Sequence, residues 1–480
     1  MMGGITAVRI AAGDENEAAR FSQFLRVASG TQVTMRRYLL LPVILLTSSA
    51  VSCAQPIQTI TVNWSGIRQA IDGFGAAGAG AVQTLTSEQM NFFYTSSGIG
   101  LQWYRMQIYP DLTDCRTDQA TVPNGSCVTA SSGPTIASSD LSMAQAAVAR
   151  GARVFASEWS PPGSMKDNGA FQTGGNMIGN SKNYRMLADI QTAFVTLMKG
   201  TYSVPIYAIS PQNEPEESSH YPSCVWTTTQ LHDYIPYLRS ALNTAGHSSV
   251  KIMLAEDTPW TIHTAAGPMD DATTAANVAI VASHGYAVPQ PSGPLTFKND
   301  TGQHVWQTEV SDSNPYDGTI TSALNYASQI HYYLTNAQVN YWGYWLLDAN
   351  GDFDDNEALT DKNSNIAKRA YAIGNWSRFV LPGWHMVSVT NSASLLVTAF
   401  TNPAGNSGTV VAVNNGRSAV SVTFSVGTTM GSSVAPYLTS SSANLAAQTA
   451  ITVSSGSFSA IVPSHSIETF TKSSTSTQPN

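Results

Sequence analysis

Charged residues are scarce in this sequence of 480 residues. Asp, Glu, Lys and Arg make up 11% of the chain, less than half of their usual share in soluble proteins. The 23 basic residues are outnumbered by 31 acidic ones, which gives a formal net charge of −8. Nucleic-acid binding requires a basic face, so this composition argues against that class of partner. The polar surface must consist mainly of uncharged side chains, as in secreted proteins that bind neutral ligands.

Long apolar runs and clustered cysteines are also lacking. The run Tyr38–Leu46 is too short to cross a bilayer as a permanent helix. The four cysteines form no CxxC motif and no Cys/His cluster of the kind that binds zinc. We therefore expect no metal and no cofactor. The chain does have enough hydrophobic residues (42%) and aromatic residues (9%) for a sizeable core, which argues against disorder.

The N-terminus has the pattern of an export signal. Met35-Arg36-Arg37 is a positive segment before the apolar run, and Ser52-Cys53-Ala54 is a small-residue cleavage site. Residues 1–34 fit no part of such a signal, so Met35 is a candidate start. The sequence predicts a signal peptide within residues 1–54 and a secreted or periplasmic protein. The alternatives are a lipoprotein anchored to the membrane through Cys53 and a buried N-terminal helix.

Export would place the other cysteines in an oxidising compartment. Cys115 and Cys127 flank a loop of Thr, Asn, Gly and Ser that a disulfide could close. Cys224 is left over, and we expect it to be an unpaired, partly buried thiol. We expect a monomer.

Short strands alternate with helical patterns from residue 67 to residue 378. This alternation predicts a (β/α)8 barrel. The predicted strands are Ile71–Gly75, Leu101–Ile108, Arg153–Glu158, Tyr207–Pro211, Val250–Ala255, Ala279–His284, His304–Thr308 and Tyr341–Leu347. The predicted helices include Ser138–Arg150, Tyr184–Lys199, Thr228–Ala245 and Thr321–Asn336. A doubly wound fold is the alternative, since Gly73–Gly78 superficially fits GxGxxG, but an acidic ribose partner and a helical context are weak.

Residues 379–473 differ in composition from the preceding segment and are rich in Ser, Thr and Val. Short alternating runs separated by turns predict an antiparallel β-sandwich. These runs are Ser394–Phe400, Thr409–Asn414, Ala419–Val426, Ala450–Ser455, Ser457–Val462 and Glu468–Thr471. Few titratable residues lie there, so we place no catalysis in it. The strand Thr59–Trp64, in residues 55–66, could complete this sandwich, and residues 474–480 form a polar tail.

Two glutamates stand at predicted strand ends, where the active sites of such barrels lie. In Asn213-Glu214-Pro215, the proline stops the strand and sets the turn that presents Glu214. Glu309 ends the seventh strand. The fourth and seventh strands lie across the barrel mouth from each other, so the two carboxylates can face each other over a substrate.

Facing carboxylates are the arrangement that glycoside hydrolysis uses. One protonates the departing oxygen, while the other attacks the sugar or activates water. Asn213 could hydrogen-bond a sugar 2-hydroxyl. A single glutamate at a strand end is more often a cap or a surface charge. Two at this spacing, in so charge-poor a chain, favour catalysis.

Aromatic residues near the strand ends are candidates for sugar binding, because flat rings cover the apolar faces of pyranoses. Trp159 and Trp345 are the best platform candidates, and Tyr344 is a further one. A given aromatic residue in a strand is more often part of the core.

Three polar residues could support the carboxylates. Arg105 on the second strand is expected to pair with Glu309 and to favour its ionised form. His284 and Tyr286 end the sixth strand and could orient Glu309. A lone strand histidine is as often structural.

Several segments together resemble glycoside hydrolase family 30. They are Asp72-Gly73-Phe74-Gly75, Trp159-Ser160-Pro161-Pro162, Ile209–Pro215, Ser283-His284-Gly285-Tyr286 and Trp306-Gln307-Thr308-Glu309. The resemblance covers about residues 59–473, and Tyr437–Leu445 is similar to the side domain of the family's bacterial xylanases. It implies a (β/α)8 barrel with a tightly associated β-sandwich and a retaining mechanism. It also implies Glu214 as the acid/base and Glu309 as the nucleophile.

One segment departs from the family's glucuronoxylanases, which carry an Arg-rich segment after the eighth strand that binds glucuronate. The matching stretch Leu346–Asp355 has four Asp and no Arg, and its charge would repel a uronate. A calcium site spanning Asp348–Asp355 and a solvated loop are further interpretations. Lys362 and Arg369 remain as cations that could fold back over the cleft.

These observations predict a secreted, retaining endo-β-1,4-xylanase that acts on neutral xylan. One alternative keeps the chemistry and changes the sugar or the mode of action: a β-1,6-glucanase, a β-1,6-galactanase, or an exo-acting β-xylosidase or xylobiohydrolase. The other is a non-catalytic glycan-binding protein. The intact pair Glu214 and Glu309 argues against the latter, because a binding module needs neither carboxylate.

Overall fold

Eight parallel strands close into a barrel. A computed structural model describes residues 58–79, 84–108, 138–349, 354–390 and 394–473. After β1 (Gln58–Ala70), the barrel strands follow one another in chain order and close in that order. They are β2 (Gly73–Ala77), β3 (Trp103–Ile108), β4 (Arg153–Glu158), β5 (Ile206–Ser210), β6 (Lys251–Pro259), β7 (Ile280–Tyr286), β8 (His304–Gln307) and β9 (Tyr341–Leu346). The predicted (β/α)8 barrel is confirmed.

Helices connect the barrel strands and cover their outer faces. They are α1 (Ser87–Tyr94), α2 (Ser138–Val148), α3 (Ser181–Gly200), α4 (Thr228–Thr244), α5 (Ala266–Asp270), α6 (Ala272–Ala275), α7 (Ile320–Tyr332) and α8 (Lys368–Ser377). A 3-10 turn spans Gly163–Met165 and a π-helical turn spans Tyr333–Ala337. Helix α4 begins with a capping box, in which Thr227 and Gln230 satisfy each other's backbone N–H groups. Of the helices in the described ranges, none has the length and apolarity to cross a membrane.

The interior of the barrel is filled by aromatic rings. Trp103, Phe155, Trp306 and Tyr341 form one buried layer, in which the Trp103 and Trp306 ring centroids lie 4.9 Å apart, edge to face. Large rings in this geometry bury much area and add specific contacts. Two residues further along β3, Arg105 takes the next inward position, closer to the carboxyl ends of the strands. The barrel is therefore a packed core that ends in a polar layer at its mouth.

A curled β domain flanks the barrel. Its further strands are β10 (His385–Val389), β11 (Leu396–Thr401), β12 (Gly408–Asn414), β13 (Val420–Ser425), β14 (Ser433–Thr439), β15 (Ala446–Ala447), β16 (Ile451–Thr452), β17 (Ser457–Val462) and β18 (Ser466–Lys472). Strand β1 pairs antiparallel with β10 and parallel with β13. This parallel pair makes an otherwise antiparallel sheet mixed. Phe424, Phe458 and Phe470 pack together in its core.

Helix α8 joins the barrel to the side domain. Its Asn375 Nδ2 donates to Thr469 Oγ1 at 2.9 Å, and its Trp376 Nε1 donates to Thr398 Oγ1 at 3.0 Å. All four side chains are buried. Buried, fully paired polar groups of this kind fix the relative placement of the two parts.

Candidate active site

The backbone around Glu214 is held from both sides. Asn213 N–H donates to the carbonyl of Glu158 at 2.6 Å, and Glu214 N–H donates to the carbonyl of Glu256 at 3.1 Å. Glu214 has a φ of 48°, a left-handed conformation that non-glycine residues adopt at a cost. The neighbouring strands β4 and β6 therefore impose the turn that ends in Pro215.

Glu309 is held just beyond the end of β8. Its backbone carbonyl accepts the N–H of Gly285 at 2.8 Å and a hydrogen bond from the Gln307 side chain. Gln307 also accepts the N–H of Gly343 at 3.1 Å. The strands on either side of β8 thus fix the backbone that carries this carboxylate.

Glu214 and Glu309 meet in the structure. Each is 5% exposed. One oxygen of Glu214, one oxygen of Glu309 and one ring nitrogen of His284 all lie within 4.8 Å of one another. Retaining glycosidases place their two carboxyl groups about 5–5.5 Å apart, whereas inverting enzymes need about 6.5–9.5 Å to accommodate a water molecule. The observed separation agrees with the retaining arrangement.

Arg105 lies at the centre of this polar layer. Its Nη1 donates to Glu309, its Nη2 donates to Asn213 Oδ1 at 2.5 Å and to Glu256 Oε1 at 3.1 Å, and its Nε donates to Ser157 Oγ at 3.3 Å. The guanidinium is fully buried. The pair of Arg105 with Glu309 agrees with the sequence prediction, and the second pair with Glu256 adds to it.

Three further side chains donate or can donate to the glutamates. Tyr286 Oη donates to Glu309 Oε1 at 2.9 Å. His284 Nδ1 lies 3.0 Å from Glu214 Oε1, so His284 supports Glu214, whereas the sequence had placed it with Glu309. Tyr221 Oη donates to Glu214 Oε2 at 2.5 Å.

Burial and charge act in opposite directions on these carboxyl groups. Burial alone would raise the pKa of Glu214, but the hydrogen bond and charge of His284, followed by the Tyr221 hydroxyl, hold that pKa below its ordinary value. Burial raises the pKa of Glu309 despite the opposing charges of His284 and Arg105. Burial lowers the pKa of His284, but the charge of Glu309 and the contact with Glu214 raise it above its ordinary value. The two carboxylates therefore favour the protonated form of His284, in which Nδ1 donates to Glu214.

Aromatic rings flank the carboxylates. Trp159 and Trp345 lie with ring centroids 5.9 Å apart, and Tyr221 packs in the same cluster. The Arg105 guanidinium carbon lies 4.6 Å from the Trp159 centroid, a cation–π contact. Trp345 and Tyr221 are partly exposed. The structure thus brings both predicted platform tryptophans to the glutamates.

Tyr344 does not belong to this cluster, which corrects the sequence prediction. It is fully buried, its ring packs edge to face on Tyr326, and its hydroxyl donates to the carbonyl of Asn356 at 2.5 Å. Successive strand residues point to opposite faces, so Tyr344 faces the outer helices because Trp345 faces the mouth.

The cations considered for uronate binding are already engaged. Arg369 is fully buried and donates to the carbonyls of Ala358 and Asp317 at 2.6 and 2.9 Å. Lys362 Nζ pairs with Asp354 at 2.8 Å.

The predicted calcium segment is only partly described, since residues 350–353 lie outside the described ranges. Asp348 accepts hydrogen bonds from Thr360 at 2.6 Å and from Ser364 at 3.1 Å. Cys53, Cys115 and Cys127 also lie outside the described residues. Cys224 is a free thiol that is fully buried rather than partly buried.

Two residues of the site, Glu256 and Tyr221, were not expected from the sequence. Glu256 is the first residue after the predicted end of its strand at Ala255, and its position next to a barrel strand end could have indicated it. Tyr221 lies in a loop seven residues after Glu214, where no local pattern reveals which way it points.

Glu214, His284 and Glu309 are also spaced closely enough to hold a metal ion. However, Arg105 already pairs with Glu309, and His284 Nδ1 is already hydrogen-bonded to Glu214. A cation would have to compete with both interactions. The donor set therefore fits acid–base and nucleophilic chemistry better than metal binding.

Comparison with known proteins gives a consistent result. No family model matches the chain. The glucuronoxylanase XynC of Bacillus subtilis (strain 168) is 29% identical over 339 residues, which cover 69% of this chain and 76% of that protein.

Solved structures match over most of the chain. The glycoside hydrolase family 30 subfamily 8 xylanase Xyn30A from Clostridium acetobutylicum superposes with a TM-score of 0.73 at 27% identity, covering 86% of this chain and 99% of that one. A GH30 endoxylanase from Clostridium papyrosolvens C71 superposes with a TM-score of 0.70 at 28% identity, covering 87% and 100%.

Proposed function

We propose that this chain, which belongs to glycoside hydrolase family 30, is an exported endo-β-1,4-xylanase that acts on neutral xylan. It is a retaining glycoside hydrolase. The observation that carries the proposal for the site is the close, buried pair of Glu214 and Glu309 at the barrel mouth. The substrate is proposed from the relatives, which are named as xylanases and a glucuronoxylanase.

In the first step, Glu309 acts as the nucleophile and Glu214 as the acid. A Glu309 oxygen attacks the anomeric carbon while the bond to the leaving oxygen breaks, and Glu214 transfers its proton to that oxygen. Arg105 and Tyr286 hold Glu309 in position through their hydrogen bonds. The products are a covalent glycosyl-enzyme and the released chain end.

In the second step, Glu214 acts as the base. It accepts a proton from a water molecule, whose oxygen attacks the anomeric carbon and releases Glu309 as a carboxylate. Two inversions leave the anomeric configuration unchanged. The Asn213 amide is fixed by Arg105 through its Oδ1, so its Nδ2 is the group proposed to donate to the sugar 2-hydroxyl.

Independence from glucuronate is proposed from the charge of the segment that follows β9. An enzyme that requires a uronate must offer donors to its carboxylate, and Arg does this with a bidentate fork. Leu346–Asp355 contains no Arg. The engaged state of Arg369 and the pairing of Lys362 with Asp354 support the same proposal.

The test compares unsubstituted xylo-oligosaccharides with glucuronoxylan. We expect similar kcat/KM on both, and product lengths by mass spectrometry that do not follow the substituent. A requirement for glucuronate would appear as a preference of roughly one to two orders of magnitude, the value of one charge-assisted hydrogen bond. Such a preference, with cuts at a fixed distance from each glucuronate, would refute the proposal.

A variant of Lys362 tests whether this cation contributes to any preference for glucuronoxylan. Lys362→Ala removes an exposed cation that pairs with Asp354 of the segment, and it should leave the ratio of the two kcat/KM values unchanged. A panel that includes β-1,6-glucan and β-1,6-galactan tests the substrate class itself. Product sizing on xylan separates endo from exo action.

A further inference from the structure

Glu256 lies beside the two glutamates and has neither of their proposed roles. It is fully buried in β6, with a φ of 59°. Its Oε1 lies 3.1 Å from Arg105 Nη2 and 4.0 Å from His284 Nε2. Its Oε2 has no hydrogen-bond partner among the described residues. A buried carboxylate with one unpaired oxygen is costly, so its presence calls for a reason.

The charges of the site suggest that reason. Arg105 is the partner of both Glu256 and Glu309, so neither carboxylate has a full counter-charge. His284 Nε2 lies 3.8 Å from Glu309 and 4.0 Å from Glu256 and has no hydrogen bond among the described residues. A glutamine at position 256 could accept the same hydrogen bond from Arg105. Only the negative charge of Glu256 would be lost.

We propose that Glu256 is a positioning residue whose negative charge sets the protonation states of the catalytic pair. This inference rests on the roles proposed for Glu214 and Glu309. By sharing Arg105, Glu256 keeps Glu309 basic and therefore reactive toward the anomeric carbon. By adding negative charge near His284, it favours the imidazolium, whose Nδ1 proton lies against Glu214.

The groups that face Glu256 come from every neighbouring part of the barrel mouth. Arg105 on β3 and His284 on β7 lie next to its carboxylate, and its charge acts on Tyr341 on β9. Arg105 and His284 in turn connect it to Glu309 after β8 and to Glu214 after β5. Arg105 is the permanently charged member of this set. Removal of the negative charge of Glu256 makes the whole group more positive, which lowers the pKa of each remaining acid.

The test is the pH profile of kcat/KM for Glu256→Gln. The acid limb of the profile reports the pKa of the nucleophile Glu309, which must be ionised. The alkaline limb reports the pKa of the acid Glu214, which must be protonated. We expect both limbs to move to lower pH, each by about one unit. Glu256→Asp retains the charge and should keep both limbs at their wild-type positions, even if kcat falls.

Asp257→Asn is the matched control. Asp257 is buried next to Glu256, but it accepts hydrogen bonds from Thr261 and Thr264 rather than from Arg105. Loss of the Asp257 charge should leave both limbs of the pH profile at their wild-type positions. Thermal unfolding of each variant identifies any that does not fold.

If the Glu256→Gln variant folds and both limbs of its pH profile stay at their wild-type positions, the proposal is wrong, whatever the kcat of that variant. If Glu256→Gln does not fold, a shift of either limb in the pH profile of Glu256→Asp would contradict the proposal, because that variant keeps the charge. A wild-type enzyme that is inactive on xylan would refute only the proposed substrate. The profile would then be measured on the β-glycan that the enzyme cleaves.

Discussion

Two layers of inward-facing side chains in the same barrel have opposite characters. The lower layer is aromatic and apolar and includes Trp103, Phe155, Trp306 and Tyr341. The layer at the mouth is ionisable and consists of Arg105, Glu214, Glu256, His284 and Glu309. The same strands supply both, since β3 carries Trp103 and, two residues later, Arg105. Burial of the rings stabilises the fold, whereas burial of the charges costs desolvation that only their mutual pairing offsets.

Position along a barrel strand therefore separates residues that stabilise the fold from residues that carry out the chemistry. A substitution in the lower layer should therefore change mainly the free energy of unfolding. One in the upper layer should change mainly the rate.

The largest effect should come from the two glutamates. Glu309→Ala should lower turnover at least about 10,000-fold on every substrate, because no covalent intermediate can form. Glu214→Ala should lower turnover of xylan on the order of 100- to 10,000-fold. It should still form the glycosyl-enzyme from aryl glycosides with good leaving groups, which need little protonation. Steady-state kinetics on both substrate types measure the difference.

Azide provides the control for these roles. It should speed breakdown of the intermediate in Glu214→Ala and yield the β-glycosyl azide, because two inversions occur. In Glu309→Ala, azide can fill the space left by the carboxylate and attack the anomeric carbon of an activated substrate directly, which yields the α-glycosyl azide through one inversion. If the two variants behave alike on activated substrates, or if their responses are exchanged, the assignment of roles is wrong.

The next effect should come from the lower layer. Trp306→Ala removes a fully buried ring that packs on Trp103 and Tyr341, and we expect the free energy of unfolding to fall by about 3–5 kcal/mol. Urea denaturation measures it. Glu309→Gln, which removes a buried charge, should change stability far less. A Trp306→Ala variant as stable as the wild type would contradict the division.

Two neighbouring aromatic residues allow a smaller test. Trp345→Ala should raise KM for xylo-oligosaccharides up to about tenfold, because it removes a partly exposed ring next to the glutamates. Tyr344→Phe should leave kcat and KM unchanged and cost about 1 kcal/mol of stability, the value of its hydrogen bond to Asn356. A higher KM in Tyr344→Phe would indicate that Tyr344 does take part in sugar binding.

The smallest effect should be a pH shift in Tyr221→Phe. The Tyr221 hydroxyl donates to Glu214 and favours its ionised form, so removing it raises the pKa of Glu214. The alkaline limb of kcat/KM should therefore move to higher pH, by less than about one unit. This direction is opposite to that expected for Glu256→Gln. A shift to lower pH would show that the hydroxyl does not act on the acid/base.

The barrel strands were predictable because local signals mark them. The predicted strand 153–158 coincides with β4, and the other barrel strands differ at their ends by a few residues. Strand β14 was missed because it contains Pro436, and a proline within a run counts against a strand. Tyr344 was misplaced because β9 carries large aromatic residues on both faces. A strand buried on both sides shows no polar alternation to identify its inner face.

The two strand ends that carry Glu214 and Glu309 are predictable from the amino-acid sequence alone, because Pro215 and the alternating apolar runs are local features. The sharing of Arg105 by two carboxylates, the contact of His284 with Glu214, and the presence of Glu256 and Tyr221 in the site follow from the folded chain and not from local sequence. Those residues lie far apart along the chain or in a loop without a pattern. Closure of the barrel brings them within hydrogen-bonding distance, and no local propensity encodes that distance.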